Sequence, residues 1–241
     1  MSAFAVVAVV TVLGAFLAWV GLIRARPHLL PPGNPLDAII EGLRRRRWLR
    51  RAVSGLAVAL ALMAVGIFTY PFWTDLYQER LQVRLERQLA SPTLERDYRA
   101  GRIETGDSLT RLKIPALGVD VVVVEGTSTS ALRAGAGHYP RTPLPCEDGN
   151  VAIAGHRTTY GRPFNRLDEL REGDIFILET PVGKCTYRMK GSPFVVKPSD
   201  THVVAPTEIS QLTLTTCHPK GSARERLIVQ ADRISSTIGD A

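Results

Sequence analysis

Two stretches of about twenty residues carry no charged side chain: residues 3–23, "AFAVVAVVTVLGAFLAWVGLI", and residues 52–73, "AVSGLAVALALMAVGIFTYPFW". At ~1.5 Å of rise per residue, a helix of that length crosses the ~30 Å hydrocarbon layer of a bilayer. A helix that is apolar around its whole circumference has no face to offer to water, so both runs are expected to span a membrane rather than to sit in a soluble core. Phe68, Tyr70, Phe72 and Trp73 close the second run in the way an interfacial aromatic belt would.

Between the runs lie residues 24–51, broken by Pro27, Pro31, Pro32, Gly33 and Pro35 and ending in "RRRRWLRR". Positive residues flanking a span stay on the cytoplasmic side, which places this loop inside and both the N-terminus and everything after Trp73 outside. A cleaved signal peptide is not the expected reading of the first run, because no positive segment precedes it and no small-residue site ends it. A true start near Arg44 would leave a single signal-anchor helix with the same orientation.

Charge follows the same division. Residues 1–73 hold eight arginines against Asp37 and Glu41, a balance of +6, which leaves +1 of the net +7 for residues 74–241. A nucleic-acid partner is therefore not expected for the large outer part, since phosphate binding wants a basic face.

Residues 74–100 place Leu81, Leu85 and Leu89 four apart among alternating charges. This predicts an amphipathic juxtamembrane helix to about Leu89, stopped by Ser91-Pro92 and read as a stalk with a solvated face. Gly101 to Gly106 makes a linker. Residues 107–236 are β in character, with eight short runs rich in β-branched residues: "TRLKIP", "VDVVVVEG", "NVAIAGH", "DIFILET", "CTYRMKG", "SPFVVKP", "QLTLTTC" and "RLIVQAD". Eight candidate strands in so short a span imply an all-β closed barrel or sandwich, with short helical turns at "STSALRAG" and "FNRLDELREG". Residues 237–241 form a tail.

Cys217 ends one β run, and Arg226 opens the next nine positions later. If these runs are antiparallel neighbours, the two residues face each other, and a cation there lowers a thiol pKa and holds a carbonyl oxygen as charge grows on it. Arg224 competes for that role from inside the connecting loop. The partner base for a nucleophilic cysteine is most often histidine. His28 falls in the basic loop and His202 in a connection, while His218 points away from its neighbour because successive strand residues face opposite ways. His138 in "GAGHYP" and His156 in "NVAIAGHRTTYG" remain. Cys146 and Cys185 are either small buried residues or, in an oxidising exterior, partners in a disulfide.

The series "GAGHYPRTPLP", "NVAIAGHR", "GRPFNRLDELREGD", "VVKPSD" and "TLTTC", with Arg226 nine residues on, resembles the sortases, membrane-anchored cysteine transpeptidases of Gram-positive bacteria. The resemblance covers about Leu109 to Arg233. It implies an eight-stranded sortase-type barrel outside the membrane, preceded here by two transmembrane helices. Carried over by position, it makes Cys217 the nucleophile, His156 the histidine, Arg226 the arginine and Thr216 a supporting match. It further implies cleavage of a C-terminal LPXTG- or LAXTG-like sorting signal between Thr and Gly, a Cys thioester, and transfer to an amine of a cell-wall precursor or another protein. The partners implied are thus secreted proteins bearing the signal, the acceptor amine and the membrane; no metal or cofactor is called for. "GHYPRTPLP", "AGHRTTYG" and "TTCHP" look most like the actinobacterial class E enzymes, with class D as the other reading. Sorting-signal hydrolysis and a catalytically silent, membrane-tethered binding module are the alternative functions.

Overall fold

A computed structural model describes residues 46–237. The first apolar run and the basic loop up to residue 45, like the last four residues, lie outside the described residues. The chain divides into two compact units, with the division between Tyr70 and Pro71.

The second apolar run is part of one long helix, α1 (Arg47–Leu89). It begins inside the arginine cluster that the sequence assigned to the loop, since Arg, Leu and Ala are good helix formers and no Pro or Gly interrupts them before Gly55. Among the described residues it is the one helix long and apolar enough to cross a membrane. Leu56, Leu60, Leu62, Ile67, Phe72 and Trp73 are all exposed, an apolar surface that a water-soluble helix would bury.

The C-terminal part of α1 is not the solvated stalk that its charges suggested. Leu85 is buried against Val122, Val124 and Ala131, with Leu89 at the edge of that cluster. Gln82 accepts from the backbone N–H of Val122 at 2.7 Å and donates to the carbonyls of Val122 and Ala134 at 3.1 and 2.7 Å. The leucine spacing was visible in sequence, but the surface it packs against comes from residues about forty positions away. Ser91 then caps a second helix, α2 (Pro92–Arg99), accepting from Leu94 N–H with Pro92 opening the first turn. The sequence reading assigned no element between Ser91-Pro92 and the linker at Gly101. It buries Leu94 and Tyr98, and the Tyr98 hydroxyl donates to Pro145 O at 2.9 Å.

Among the described residues nine strands follow: β1 (Ser108–Ile114), β2 (Val119–Glu125), β3 (Ala136–His138), β4 (Asn150–Gly155), β5 (Ile175–Thr180), β6 (Gly183–Met189), β7 (Phe194–Val196), β8 (Gln211–His218) and β9 (Glu225–Ser236). Their order is β6-β5-β1-β2-β3-β4-β8-β9, and pairing of β6 with β9 closes the ring at eight strands. β7 lies outside it, pairing with β9 at Leu227 and Ile228, below the stretch that β6 occupies. The sequence count of eight therefore agrees in number but not in membership. It took in β7, whose "FVV" reads as a strand, and missed β3, whose "AGH" has no β-branched residue. A short helix, α3 (Thr129–Ala134), precedes β3.

Alternate residues fill the barrel: Val121 and Val123, Val151 and Ile153, Leu212 and Leu214, Leu227 and Val229. Cys146 and Cys185 join this core as a disulfide with Cα atoms 5.6 Å apart, bridging a separation of 39 residues. Closing a loop of that size stabilises a fold by about 3–4 kcal/mol. Reduction, or a Cys146→Ala/Cys185→Ala double variant, is expected to lower the melting temperature by on the order of 10 °C. Thiol counting on denatured, unreduced protein should find one free thiol of the three cysteines; three would remove the bridge from the account.

Candidate active site

Two strand registers bring the sequence-predicted residues to one end of the barrel wall. β4 and β8 run parallel with Ala154 beside Thr215. One residue further along, the Thr216 hydroxyl donates to Gly155 O at 2.8 Å, so His156 leaves β4 alongside Cys217 on β8. On the other side, β8 and β9 are antiparallel with Cys217 directly opposite Arg226. Since Leu212 and Leu214 face the core, Cys217 stands on the outer face with Thr213 and Thr215. It is partly exposed and is the only cysteine outside a disulfide.

Gly155 permits this junction. A Cβ there would lie 2.5 Å from the ring of Phe164, which is fully buried. Phe164 N–H in turn donates to His156 O at 3.2 Å, so the chain after His156 folds back onto the residue that precedes the turn.

The imidazole of His156 packs against Tyr160, ring centroids 5.2 Å apart, and the Arg133 guanidinium lies 5.8 Å from the Tyr160 centroid. Burial, and secondly the charge of Arg133, push the His156 pKa below its ordinary value. The ring is thus neutral at neutral pH, which stabilises the fold above the unfolded-state pKa of about 6.5, and that stability is lost as pH falls. Its Nε2 is buried with no hydrogen-bond partner among the described residues. A buried polar atom left unpaired is costly, and a reacting group delivered to it would relieve that cost.

Arg226 is half-buried, and its Nη1 donates to the carbonyls of Ala223 and Glu225, both at 3.0 Å. The guanidinium is thereby fixed to the β8–β9 turn by one nitrogen. Arg224 lies in the turn itself and lines an open groove of about 620 Å³ with Lys197, Pro198, Ser199 and Glu225. Among the described residues, Cys217, His156 and Arg226 are neighbours by register and are not hydrogen-bonded to one another.

The other described histidines lie elsewhere, and His28 falls outside the described residues. His138 is buried in the barrel wall, with Nδ1 2.7 Å from Glu125 Oε2 and Nε2 2.9 Å from both Pro143 O and Thr142 Oγ1. His202 sits exposed in a 3-10 turn, and His218 Nδ1 accepts from Arg157 Nη1 at 2.9 Å.

Arg157 is the residue that sequence reasoning passed over. It stands in the quoted "AGHR", yet an arginine after a strand end reads as a solvated side chain. Instead it is 3 % exposed, its Nη1 also donates to Cys217 O at 3.2 Å, and its Nη2 pairs with Asp168 Oδ1 at 3.0 Å. A buried charge so held, paired with Asp168 and bonded to the Cys217 carbonyl, fixes the backbone that carries the thiol. The long-range pair "R157…D168" had no pattern in sequence to betray it.

Comparison with known proteins identifies the family and the fold. Residues 112–234 match the Sortase domain family. Sortase SrtE1 of Streptomyces coelicolor is 29% identical over 199 residues, 74% of this chain and 55% of that protein. Sortase D of Bacillus subtilis is 34% identical over 135 residues, 55% of this chain and 67% of that protein. This chain thus spans little more than half the length of the first relative. Among solved structures, a Clostridium perfringens sortase D5 transpeptidase is 28% identical with a TM-score of 0.57, covering 66% of this chain and 99% of that one. Sortase E from Streptomyces avermitilis is 37% identical with a TM-score of 0.51, covering 56% of this chain and 92% of that one.

Proposed function

Because this chain belongs to the sortase family, we propose that it is a membrane-tethered cysteine transpeptidase in which Cys217, His156 and Arg226 carry the chemistry. The observation that supports this most is the pair of registers that sets His156 on one side of Cys217 and Arg226 on the other.

The proton cycle follows from the electrostatics. A neutral His156 takes the Cys217 proton as sulfur attacks the carbonyl carbon between Thr and Gly of an extended sorting peptide. Arg226, whose Nη1 is already held by the turn, presents its other N–H groups to the carbonyl oxygen as negative charge develops there. His156, now an imidazolium, gives that proton to the departing glycine amine as the C–N bond breaks and leaves a thioester on Cys217. An incoming amine attacks the thioester and loses a proton to His156, and the expelled sulfur recovers it as the thiol. Water in place of the amine gives hydrolysis. Thr216 holds the two strands that carry the reacting side chains.

The likeness to class E relatives supports a sorting signal with Ala at its second position, from secreted proteins awaiting attachment to a cell-wall or protein amine. The exposed apolar helix and the basic cluster before it support a membrane anchor with the barrel on the exterior and residues 24–51 inside. The test is to supply the protein with Leu-Ala-X-Thr-Gly and Leu-Pro-X-Thr-Gly peptides and a glycine-type amine, and to weigh the products. The expected result is an amide joined at Thr, formed faster from the Ala peptide. Free acid as the main product would favour a hydrolase, no cleavage would favour a silent binding module, and a clear preference for Pro would move the chain away from class E.

A further inference from the structure

We propose that the C-terminal part of α1 is a positioning element for the active site, with Asp75 holding the loop that packs Tyr160 against His156. The inference rests on the transpeptidase reading above for what His156 does, and on geometry alone for what holds it.

The loop after His156 adopts a conformation that it does not favour by itself. Tyr160, Gly161 and Arg162 have φ of 50°, 72° and 48°, three successive residues in the left-handed region, two of them not glycine. A non-glycine residue is strained there and persists only where surrounding contacts over-determine it. Those contacts come from α1. Asp75 Oδ1 accepts from Gly161 N–H and its Oδ2 from Arg162 Nη2, both at 2.9 Å. The Thr74 hydroxyl donates to Pro71 O at 2.8 Å and accepts a longer bond from Tyr160 N–H at 3.4 Å. Gln78 closes over Gly161 so tightly that a Cβ there would lie 2.5 Å from its Oε1.

A second attachment converges on the same aromatic ring. Leu85 of α1 packs on Ala131 of α3, and Gln82 donates to Ala134 O at the end of α3. α3 carries Arg133, which stands over Tyr160. Helix α1 therefore fixes both Tyr160 and the cation beside it. From the loop the His156 ring meets Tyr160, the Arg133 charge acts on it from α3, and the parallel register of β4 and β8 sets the backbone of Cys217 alongside. Asp75 reaches no reacting atom; it acts through the loop.

The test uses the full chain in detergent micelles or nanodiscs, with kcat and KM for peptide transfer and, independently, NMR titration of selectively labelled histidine with His156 assigned from a His156→Gln variant. Asp75→Ala is expected to lower kcat about tenfold, within the range that small misplacements of reacting groups cost, with KM nearly unchanged. The His156 titration should move up toward the ordinary histidine value as the loop loosens. Arg162→Ala, which breaks the same pair from the loop side, should move both readouts the same way, and Asp75→Asn, which keeps an acceptor for Gly161 N–H, should recover part of the loss. A lower melting temperature with wild-type kcat and an unmoved His156 titration would overturn the inference. Absence of transfer by the wild-type protein would count against the transpeptidase reading instead, and the titration would still decide the role of Asp75.

Discussion

Cys217→Ala is expected to abolish cleavage of a sorting peptide, and His156→Ala to do nearly the same, each by ~10⁴-fold or more, as when one member of a nucleophile–base pair is removed. Neither change should unfold the barrel. Cys217 is partly exposed at the end of β8, and His156 lies just past the end of β4, so each truncation leaves the core side chains in place. His138→Ala provides the contrast. Its ring is hydrogen-bonded to the buried Glu125 side chain, and leaving such a buried polar partner unsatisfied costs about 1–3 kcal/mol. That variant should lose stability first, and activity only as far as it unfolds. Rates paired with circular dichroism melts separate the two classes. A His138→Ala protein that is folded and inactive, beside an active His156→Ala, would reverse the assignment.

Arg226 should give the next largest effect. Both Arg226→Ala and Arg226→Lys are expected to lose ~10²–10³-fold in kcat/KM, the range typical of removing one oxyanion donor. Lysine keeps the charge but not the fork. In this site one guanidinium nitrogen is committed to the carbonyls of Ala223 and Glu225 while the others have no hydrogen-bond partner among the described residues, a division that a single ammonium cannot reproduce. Arg224→Ala, in the turn and lining the open groove, should cost far less. Initial rates for the three variants decide this. A dead Arg224→Ala with a nearly normal Arg226→Ala would mean that the wrong side of the hairpin had been read.

Much of this arrangement was legible in the sequence because its logic is local. Alternation of apolar residues marks most of the strands, and the nine-residue step from Cys217 to Arg226 is a hairpin length, which the structure realises as a direct cross-strand pair. Strand alternation also disposed of His218, whose ring turns away to Arg157. What escaped is non-local. β3 exists because the edges of β2 and β4 supply its ladder, not because "AGH" favours extension. The buried side of α1 is defined by Val122, Val124 and Ala131, so charged residues around Leu85 looked like a solvated stalk. Arg157 and Asp75 were unreadable for the same reason: each is one charged residue among many until the fold sets a carbonyl, a carboxylate or a left-handed loop against it. Separating His156 from His138 by spacing alone was likewise impossible, because Glu125 and Thr142 are brought to His138 only by the closure of the barrel.

A nucleophilic Cys217 becomes acylated by the peptide it cleaves. The direct measurement is mass spectrometry of the protein quenched in acid during turnover of a sorting peptide with no added amine, followed by peptide mapping of the adduct. The expected result is a mass increase equal to the peptide through its threonine acyl group, located on Cys217, removed by hydroxylamine and absent from Cys217→Ala. Cleavage of the peptide with Cys217 unmodified throughout, or an adduct on any other residue, would contradict it.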